Sequence, residues 1–117
     1  MKIFIYNETN LVETEPSDKV DLNSLNDVFA FCCEKEAERV LIHSEGLQEG
    51  FFDLSTRIAG EILQKFSTYP VKAAILIAPG TKCSSMFTDF IAELDRRGGI
   101  RFFENKTEAV EWLAYVK

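Results

Sequence analysis

The spacing of apolar residues divides the chain into short strand-like runs and longer helix-like segments. Four segments repeat apolar residues every three or four positions, which is typical of one face of an α-helix. Between them lie short runs rich in apolar and β-branched residues, which indicate strands. The predicted strands are Lys2–Tyr6, Leu11–Thr14, Arg39–His43, Val71–Ala78 and Ile100–Phe103. The predicted helices run from about Leu22 to about Ala37, Ser55 to Ser67, Ser84 to Arg97 and Thr107 to Val116.

The resulting element order, β-β-α-β-α-β-α-β-α, predicts an α/β fold with a mixed, mostly parallel five-stranded sheet and four helices. Strands that alternate with helices favour parallel pairing through right-handed crossovers. The first two strands are joined by the turn-rich segment Asn7–Asn10, so we expect them to form an antiparallel hairpin. A length of 117 residues favours one domain over two, so residues 1–117 are interpreted as a single domain.

The net negative charge of the chain argues against some classes of binding partner. The chain has 13 basic and 19 acidic residues, a net charge of −6, and its largest cationic cluster is Arg96-Arg97. Nucleic acids and anionic membranes attract cationic surfaces, so we expect neither as a partner. No stretch approaches the 18 or so apolar residues of a membrane-spanning helix.

The three cysteines, Cys32, Cys33 and Cys83, do not form a recognisable framework. An odd number excludes complete disulfide pairing, and the spacing fits no zinc site. We therefore expect free thiols in a reducing cytoplasm, with no metal and no cofactor. The chain starts directly with a strand pattern rather than a signal peptide.

Candidate chemistry lies where the predicted strands end, because ligands of open α/β sheets bind beyond the carboxyl ends of the strands. His43, the chain's single histidine, ends one strand. It is either a general base or a structural residue. Lys82 follows Ala78-Pro79-Gly80 and is either an anion contact or part of a turn; the spacing of a phosphate-binding loop is absent. No convincing catalytic set is present, so enzymatic activity stays uncertain, with a non-enzymatic role favoured.

A second candidate is Asp53-Leu54-Ser55-Thr56, directly before or within the start of the second predicted helix. Asp, Ser and Thr accept hydrogen bonds from the free N–H groups of a first helical turn, so the segment is interpreted as a helix cap. A sharper interpretation is a phosphorylation switch. A phosphate on Ser55 or Thr56 would lie at the positive end of the helix dipole.

The segment around the second predicted helix also carries a family resemblance. Ile42–Leu47 and Phe51–Phe66 closely resemble the bacterial family named domain of unknown function 4180, and the resemblance extends over nearly the whole chain. Its most specific part is Phe52–Phe66. That family implies no established activity.

The element order is also similar to that of STAS domains (sulphate transporter and anti-sigma-factor antagonist). Those domains carry an Asp-Ser-Ser-Gly-Leu-Gly motif whose serine is phosphorylated by an anti-sigma kinase. Asp53 matches the motif aspartate. Alignment by hydrophobic phase gives the acceptor place to Thr56, and alignment by distance from Asp53 gives it to Ser55. Arg57 stands where the motif has glycine, and one residue is extra.

The sequence is therefore interpreted as a STAS-like protein-interaction or regulatory module of the bacterial cytoplasm, without catalytic activity and with a protein partner. The alternative is a small-ligand-binding protein or enzyme that uses the strand ends near His43 and the start of the second helix. Self-association is left open. The candidate binding or switch residues are Asp53, Ser55, Thr56, Arg57, His43 and Lys82.

Overall fold

A computed structural model describes residues 1–21, 23–47, 51–53, 57–68, 71–78, 85–97 and 99–115. Its strands are β1 (Lys2–Tyr6), β2 (Thr9–Glu13), β3 (Arg39–His43), β4 (Lys72–Leu76) and β5 (Ile100–Phe103). Its α-helices are α1 (Leu25–Glu34), α2 (Ile58–Thr68), α3 (Ser85–Arg97) and α4 (Lys106–Tyr115). The α/β class, the five strands, the four helices and their order are confirmed in this part of the chain.

The predicted end of the first helix and the predicted start of the second were wrong for the same physical reason, a residue in the left-handed conformation. Helix α1 ends before Ala37 because Glu36 adopts the left-handed conformation, with φ 54°. The chain then turns back, and the Ala37 N–H donates to the Cys32 carbonyl at 2.8 Å, as in a typical helix C-terminus. Helix α2 begins at Ile58 rather than Ser55 because Arg57 has φ 63° and so lies outside the helix.

The hairpin of β1 and β2 is closed by a two-residue turn. Asn7 and Glu8 have φ values of 50° and 65°, the positive pair that a type I′ turn requires. The strands pair antiparallel over five residue pairs, from Tyr6 with Thr9 to Lys2 with Glu13. The predicted antiparallel hairpin is confirmed.

The strands lie side by side in chain order, β1-β2-β3-β4-β5. β2 is parallel to β3, β3 to β4 and β4 to β5. The sheet is mixed rather than mostly parallel as predicted, because the antiparallel hairpin forms a register as long as any other. Right-handed crossovers that always step in the same direction place their helices on one face of a sheet.

The two faces of the sheet therefore carry different layers. Helices α1, α2 and α3 cover the larger face, which we call the three-helix face, and α4 covers the other, the α4 face. Inward residues of the three-helix face include Val40, Ile42 and Ile75. On the α4 face Leu41 and Ala74 pack against Leu113 and its neighbours. Within the described part of the chain, no helix has the length and apolarity needed to cross a membrane.

Phenylalanines fill the end of the three-helix face. Phe51 is fully buried there, as is Phe87 of α3, and their ring centroids are 6.0 Å apart. The half-buried Phe52 lies beside them, with its ring centroid 5.3 Å from that of Phe87. The ring centroid of Phe102 in β5 lies 6.2 Å from that of Phe87.

Candidate functional site

The carboxyl ends of β2 and β3, with the start of α4, bring three ionisable side chains together. Glu13 is the last residue of β2 and His43 the last of β3, while Lys106 begins α4 directly after β5. Parallel strands end at the same edge of a sheet, which places these positions side by side. Glu13 and His43 alternate in phase with Leu11 and Leu41, so they lie on the α4 face.

The centre of this group is the Glu13 carboxylate. Glu13 Oε2 lies 2.6 Å from His43 Nε2 and 3.1 Å from Lys106 Nζ. Its other oxygen, Oε1, lies 3.7 Å from Lys2 Nζ on the neighbouring strand β1. We refer to Glu13, His43, Lys106 and Lys2 as the Glu13 cluster. One carboxylate thus joins three strands and a helix.

The Glu13 side chain is only 5% exposed, so its charge depends on these neighbours. Burial by itself would raise the pKa of Glu13. The hydrogen bonds from His43 and Lys106 and the positive charges of Lys106 and Lys2 outweigh burial and hold this pKa below its ordinary value. Glu13 is therefore an anion at neutral pH, and the surrounding groups stabilise it as one.

Lys106 occupies an unusual place for a cation. It is the first residue of α4, where the helix dipole disfavours positive charge. The helix is capped in the ordinary way, because Asn105 Oδ1 accepts from the Glu108 N–H at 3.1 Å. The proximity of Glu13 accounts for a lysine here, since the ion pair offsets the unfavourable dipole.

His43 is held from two sides. Its backbone N–H donates to Thr14 Oγ1 at 3.3 Å, and its side chain, 13% exposed, faces Glu13. A carboxylate only accepts hydrogen bonds, so the neutral tautomer that satisfies this contact carries its proton on Nε2. In that tautomer the other ring nitrogen, Nδ1, can accept a hydrogen bond. The contact with Glu13 therefore orients the imidazole ring.

The loops that follow β2 and β3 are joined at the same edge. The Val20 N–H donates to the Gly46 carbonyl at 2.7 Å, and Val20 forms a single parallel bridge with Leu47. The backbones approach so closely that a Cβ on Gly46 would overlap the Asp18 carbonyl oxygen. Between these loops lies a polar cavity of about 460 Å³, lined in part by Lys19, Asp21 and Glu45.

Ser44 connects this region to the end of β4. The Ala78 N–H donates to Ser44 Oγ at 3.2 Å, and the Ser44 hydroxyl lies 3.4 Å from Glu45 Oε1. The serine after His43 therefore fixes the chain leaving β4. This contact ties the loop after β3 to the strand next to it.

The six residues predicted from the sequence fall into three groups. His43 lies in the Glu13 cluster. Asp53 and Arg57 are exposed, and Arg57 immediately precedes α2 with its left-handed φ of 63°. Ser55, Thr56 and Lys82 lie outside the described residues.

Sequence reasoning missed Glu13 and Lys106. Glu13 ends β2 in the inward phase set by Leu11, and an acidic residue in that phase is the signal that identifies a buried carboxylate. Lys106 gave no comparable signal, because a lysine after a strand is usually exposed to solvent. Its pairing depends on the path of α4 across the sheet.

The cysteines that the structure describes are free thiols, as predicted. Cys32 is buried in α1 and Cys33 is exposed. Burial, with a smaller contribution from Cys33, raises the pKa of Cys32 to about 11, so this thiol is protonated and unreactive at neutral pH. Among the described residues, no group of three or more His, Cys, Asp or Glu is arranged to hold a metal ion.

Comparison with known proteins gives one match. The family described as a domain of unknown function (DUF4180) matches residues 6–113, which include every strand and helix described above at least in part. Neither the curated proteins nor the solved structures yield a match. The matched region contains Glu13, His43 and Lys106. The chain therefore belongs to the DUF4180 family.

Proposed function

We propose that this chain is a STAS-like regulatory module that acts by binding a protein partner, with its switch in the segment directly before α2. The topology is the first support. Five strands in chain order, three crossover helices on one face and a hairpin at the start form the element order shared with STAS domains. Fold similarity does not transfer function by itself, so the proposal depends on the segment before α2.

The observation that carries the proposal is the backbone of Arg57. In the alignment by hydrophobic phase, Arg57 stands at the first glycine of the Asp-Ser-Ser-Gly-Leu-Gly motif. Its φ of 63° is the conformation that glycine adopts most easily and that arginine rarely adopts. The helix then begins at Ile58, the position of the motif leucine. This agreement favours Thr56 over Ser55 as the phosphate acceptor.

The test is phosphorylation in the cells that make the protein. Mass spectrometry of the isolated chain should find phosphate on Thr56, and Thr56→Ala should remove it. Chemical crosslinking in the same cells should then give a partner whose yield changes with Thr56→Glu. The matched control is Thr107→Glu, which adds the same charge at the exposed start of α4. Absence of phosphate, together with equal crosslinking by both variants, would contradict the proposal.

The Glu13 cluster favours a second candidate, a small-ligand site at the carboxyl edge. Glu13 orients His43, and in the neutral tautomer that donates to Glu13 the other imidazole nitrogen can accept a hydrogen bond. Because His43 is the single histidine, its ring NMR signals can be followed without assignment. Addition of ammonium or guanidinium, whose N–H groups can donate to that nitrogen and which the Glu13 anion attracts, should shift those signals in the wild type and less in Glu13→Gln. Signals that do not respond to either cation would contradict a ligand site at this edge.

A further inference from the structure

The edge strand β1 is unusually exposed for its composition. Its sequence, Lys-Ile-Phe-Ile-Tyr, is mostly apolar, yet four of its five residues are exposed. The Ile5 side chain is 71% exposed and Ile3 38%. Ile3 pairs with the buried Val12, so both isoleucines lie on the three-helix face, beyond the residues that cover it. Exposed apolar edges of this kind are available for pairing with another strand.

The hairpin determines which backbone groups of β1 face outward. In a two-residue type I′ hairpin, the residues that flank the turn, Tyr6 and Thr9, form a hydrogen-bonded pair. Such pairs alternate along antiparallel strands, so Phe4 and Lys2 also direct their backbone groups toward β2. The N–H and C=O groups of Ile3 and Ile5 therefore point away from the sheet.

This pattern is self-complementary. If a second copy of β1 runs antiparallel with the two-fold axis at Phe4, Ile3 lies opposite Ile5 of the second copy, and Ile5 opposite its Ile3. Those are the residues with outward backbone groups, so both pairs are hydrogen-bonded. The same register places the four isoleucines together on one face. A register shifted by one residue would place the outward backbone groups of one strand opposite residues of the other strand whose backbone groups point toward β2. The hydrogen bonds between the two copies would then be lost.

Charge agrees with this register. Lys2 lies opposite the uncharged Tyr6 of the second copy, and the two-fold axis repeats the arrangement. Like charges are therefore not opposed along the paired strands, although the chain as a whole is acidic. A second copy of β1 matches the first in its outward backbone groups, its isoleucines and its charges, whereas an unrelated peptide would match all three only by chance.

We propose that two copies of this chain associate through antiparallel pairing of their β1 strands, in the register centred on Phe4, to form one continuous sheet. One pair of five-residue strands buries less than the interface of a stable obligate dimer. The association is therefore reversible and depends on concentration. It does not depend on the proposed regulatory function.

Sedimentation equilibrium tests the interface. We expect the wild type to change from monomer to dimer between about 10 µM and about 1 mM, the affinity range of small interfaces. Ile5→Lys should weaken the dimer at least about tenfold, because lysine blunts an edge strand. The matched control is Met86→Lys on α3, whose side chain is 69% exposed and lies outside β1; it should dimerise as the wild type does. A strict monomer at all concentrations, or equal effects of the two substitutions, overturns the proposal.

Disulfide trapping tests the register. Non-hydrogen-bonded antiparallel partners have Cα atoms about 4.5 Å apart, within disulfide reach. Phe4→Cys, with Cys33 and Cys83 replaced by serine, should therefore crosslink to its own copy on oxidation. Lys2→Cys in the same background should not, because the two Lys2 positions lie at opposite ends of the paired strands. Circular dichroism checks that both variants are folded; equal crosslinking at both positions, or none at Phe4→Cys, contradicts this register.

Discussion

The two faces of the sheet are stabilised in different ways. The three-helix face is apolar from end to end, and its carboxyl end is filled by phenylalanine rings in edge-to-face contact. The α4 face has a smaller apolar cluster, and at the same end its strands finish in a buried carboxylate surrounded by cations. Apolar packing is tolerant of pH, whereas the Glu13 cluster depends on it. The pH-sensitive contacts of the Glu13 cluster therefore lie on the smaller face.

The largest effect is expected on the three-helix face. Phe87→Ala should lower the free energy of unfolding by about 3–5 kcal/mol, because it removes a fully buried ring that contacts four other aromatic rings. The neighbouring Met86→Ala, at an exposed position, should change it by less than about 0.5 kcal/mol. Urea unfolding measures both, and similar values for the two variants would contradict the assignment of this core.

Substitution of two glycines, Gly46 in the loop after β3 and Gly60 in α2, should change stability in opposite directions. Gly46→Ala should destabilise the fold by up to about 3 kcal/mol, because its Cβ would overlap the Asp18 carbonyl oxygen where two backbones meet. Gly60→Ala, in α2, should instead stabilise it by about 0.5–1 kcal/mol, since its Cβ would meet nothing within 4 Å and alanine favours a helix. Thermal unfolding compares the pair; a Gly46→Ala variant that is as stable as Gly60→Ala would show that the loops are not closely packed.

The Glu13 cluster should make the α4 face sensitive to acid. Glu13→Gln should cost about 2 kcal/mol at pH 7, because a charged acceptor of two hydrogen bonds is lost from a buried site. The pKa of Glu13 is lower in the folded chain than its ordinary value of 4.5, so its contribution is complete above that pH. It is lost as the pH falls below 4.5 through the folded pKa.

The difference in stability between wild type and Glu13→Gln should therefore shrink in acid. Denaturant unfolding at several pH values measures it. Glu93→Gln is the control, because Glu93 forms an exposed ion pair with Arg96 that should contribute at most about 1 kcal/mol. A Glu13→Gln difference that stays constant into strong acid would argue against a stabilised Glu13 anion.

The smallest effect concerns the segment before α2. Arg57→Gly should be more stable than Arg57→Ala by about 1 kcal/mol, because both remove the side chain while only glycine adopts a φ of 63° without strain. Chemical unfolding of the two variants measures the free-energy cost of the left-handed backbone conformation at this position. Greater stability of the alanine variant would indicate that Arg57 is not left-handed in solution.

Local sequence patterns predicted most of the fold. β1, β3 and β5 have the predicted bounds, because continuous or alternating apolar runs between turn residues specify strands strongly. The start of α2 was wrong because the Asp, Ser and Thr residues before it are good capping residues, and nothing in the sequence reveals that Arg57 takes a left-handed conformation.

The candidate site was predictable only in part. His43 was identified because it stands at the end of a strand, a property of the sequence near it. Its partners Glu13 and Lys106 come from distant parts of the chain, and their meeting depends on strand order and on which face α4 covers. Electrostatic contacts between distant segments have no short-range pattern from which to predict them.

Lys106 follows all five strands in the sequence, so it is the last residue of the Glu13 cluster to be synthesised. As the chain is synthesised, every strand and crossover helix precedes Lys106. Until α4 emerges, the Glu13 carboxylate lacks its lysine partner on this side and the apolar residues around Leu41 are uncovered. Docking of α4 is therefore the step that both adds Lys106 to the Glu13 cluster and covers the apolar residues of the α4 face. A nascent chain that stalls before this helix would leave Leu11, Leu41 and Ala74 without the apolar residues that cover them in the folded protein.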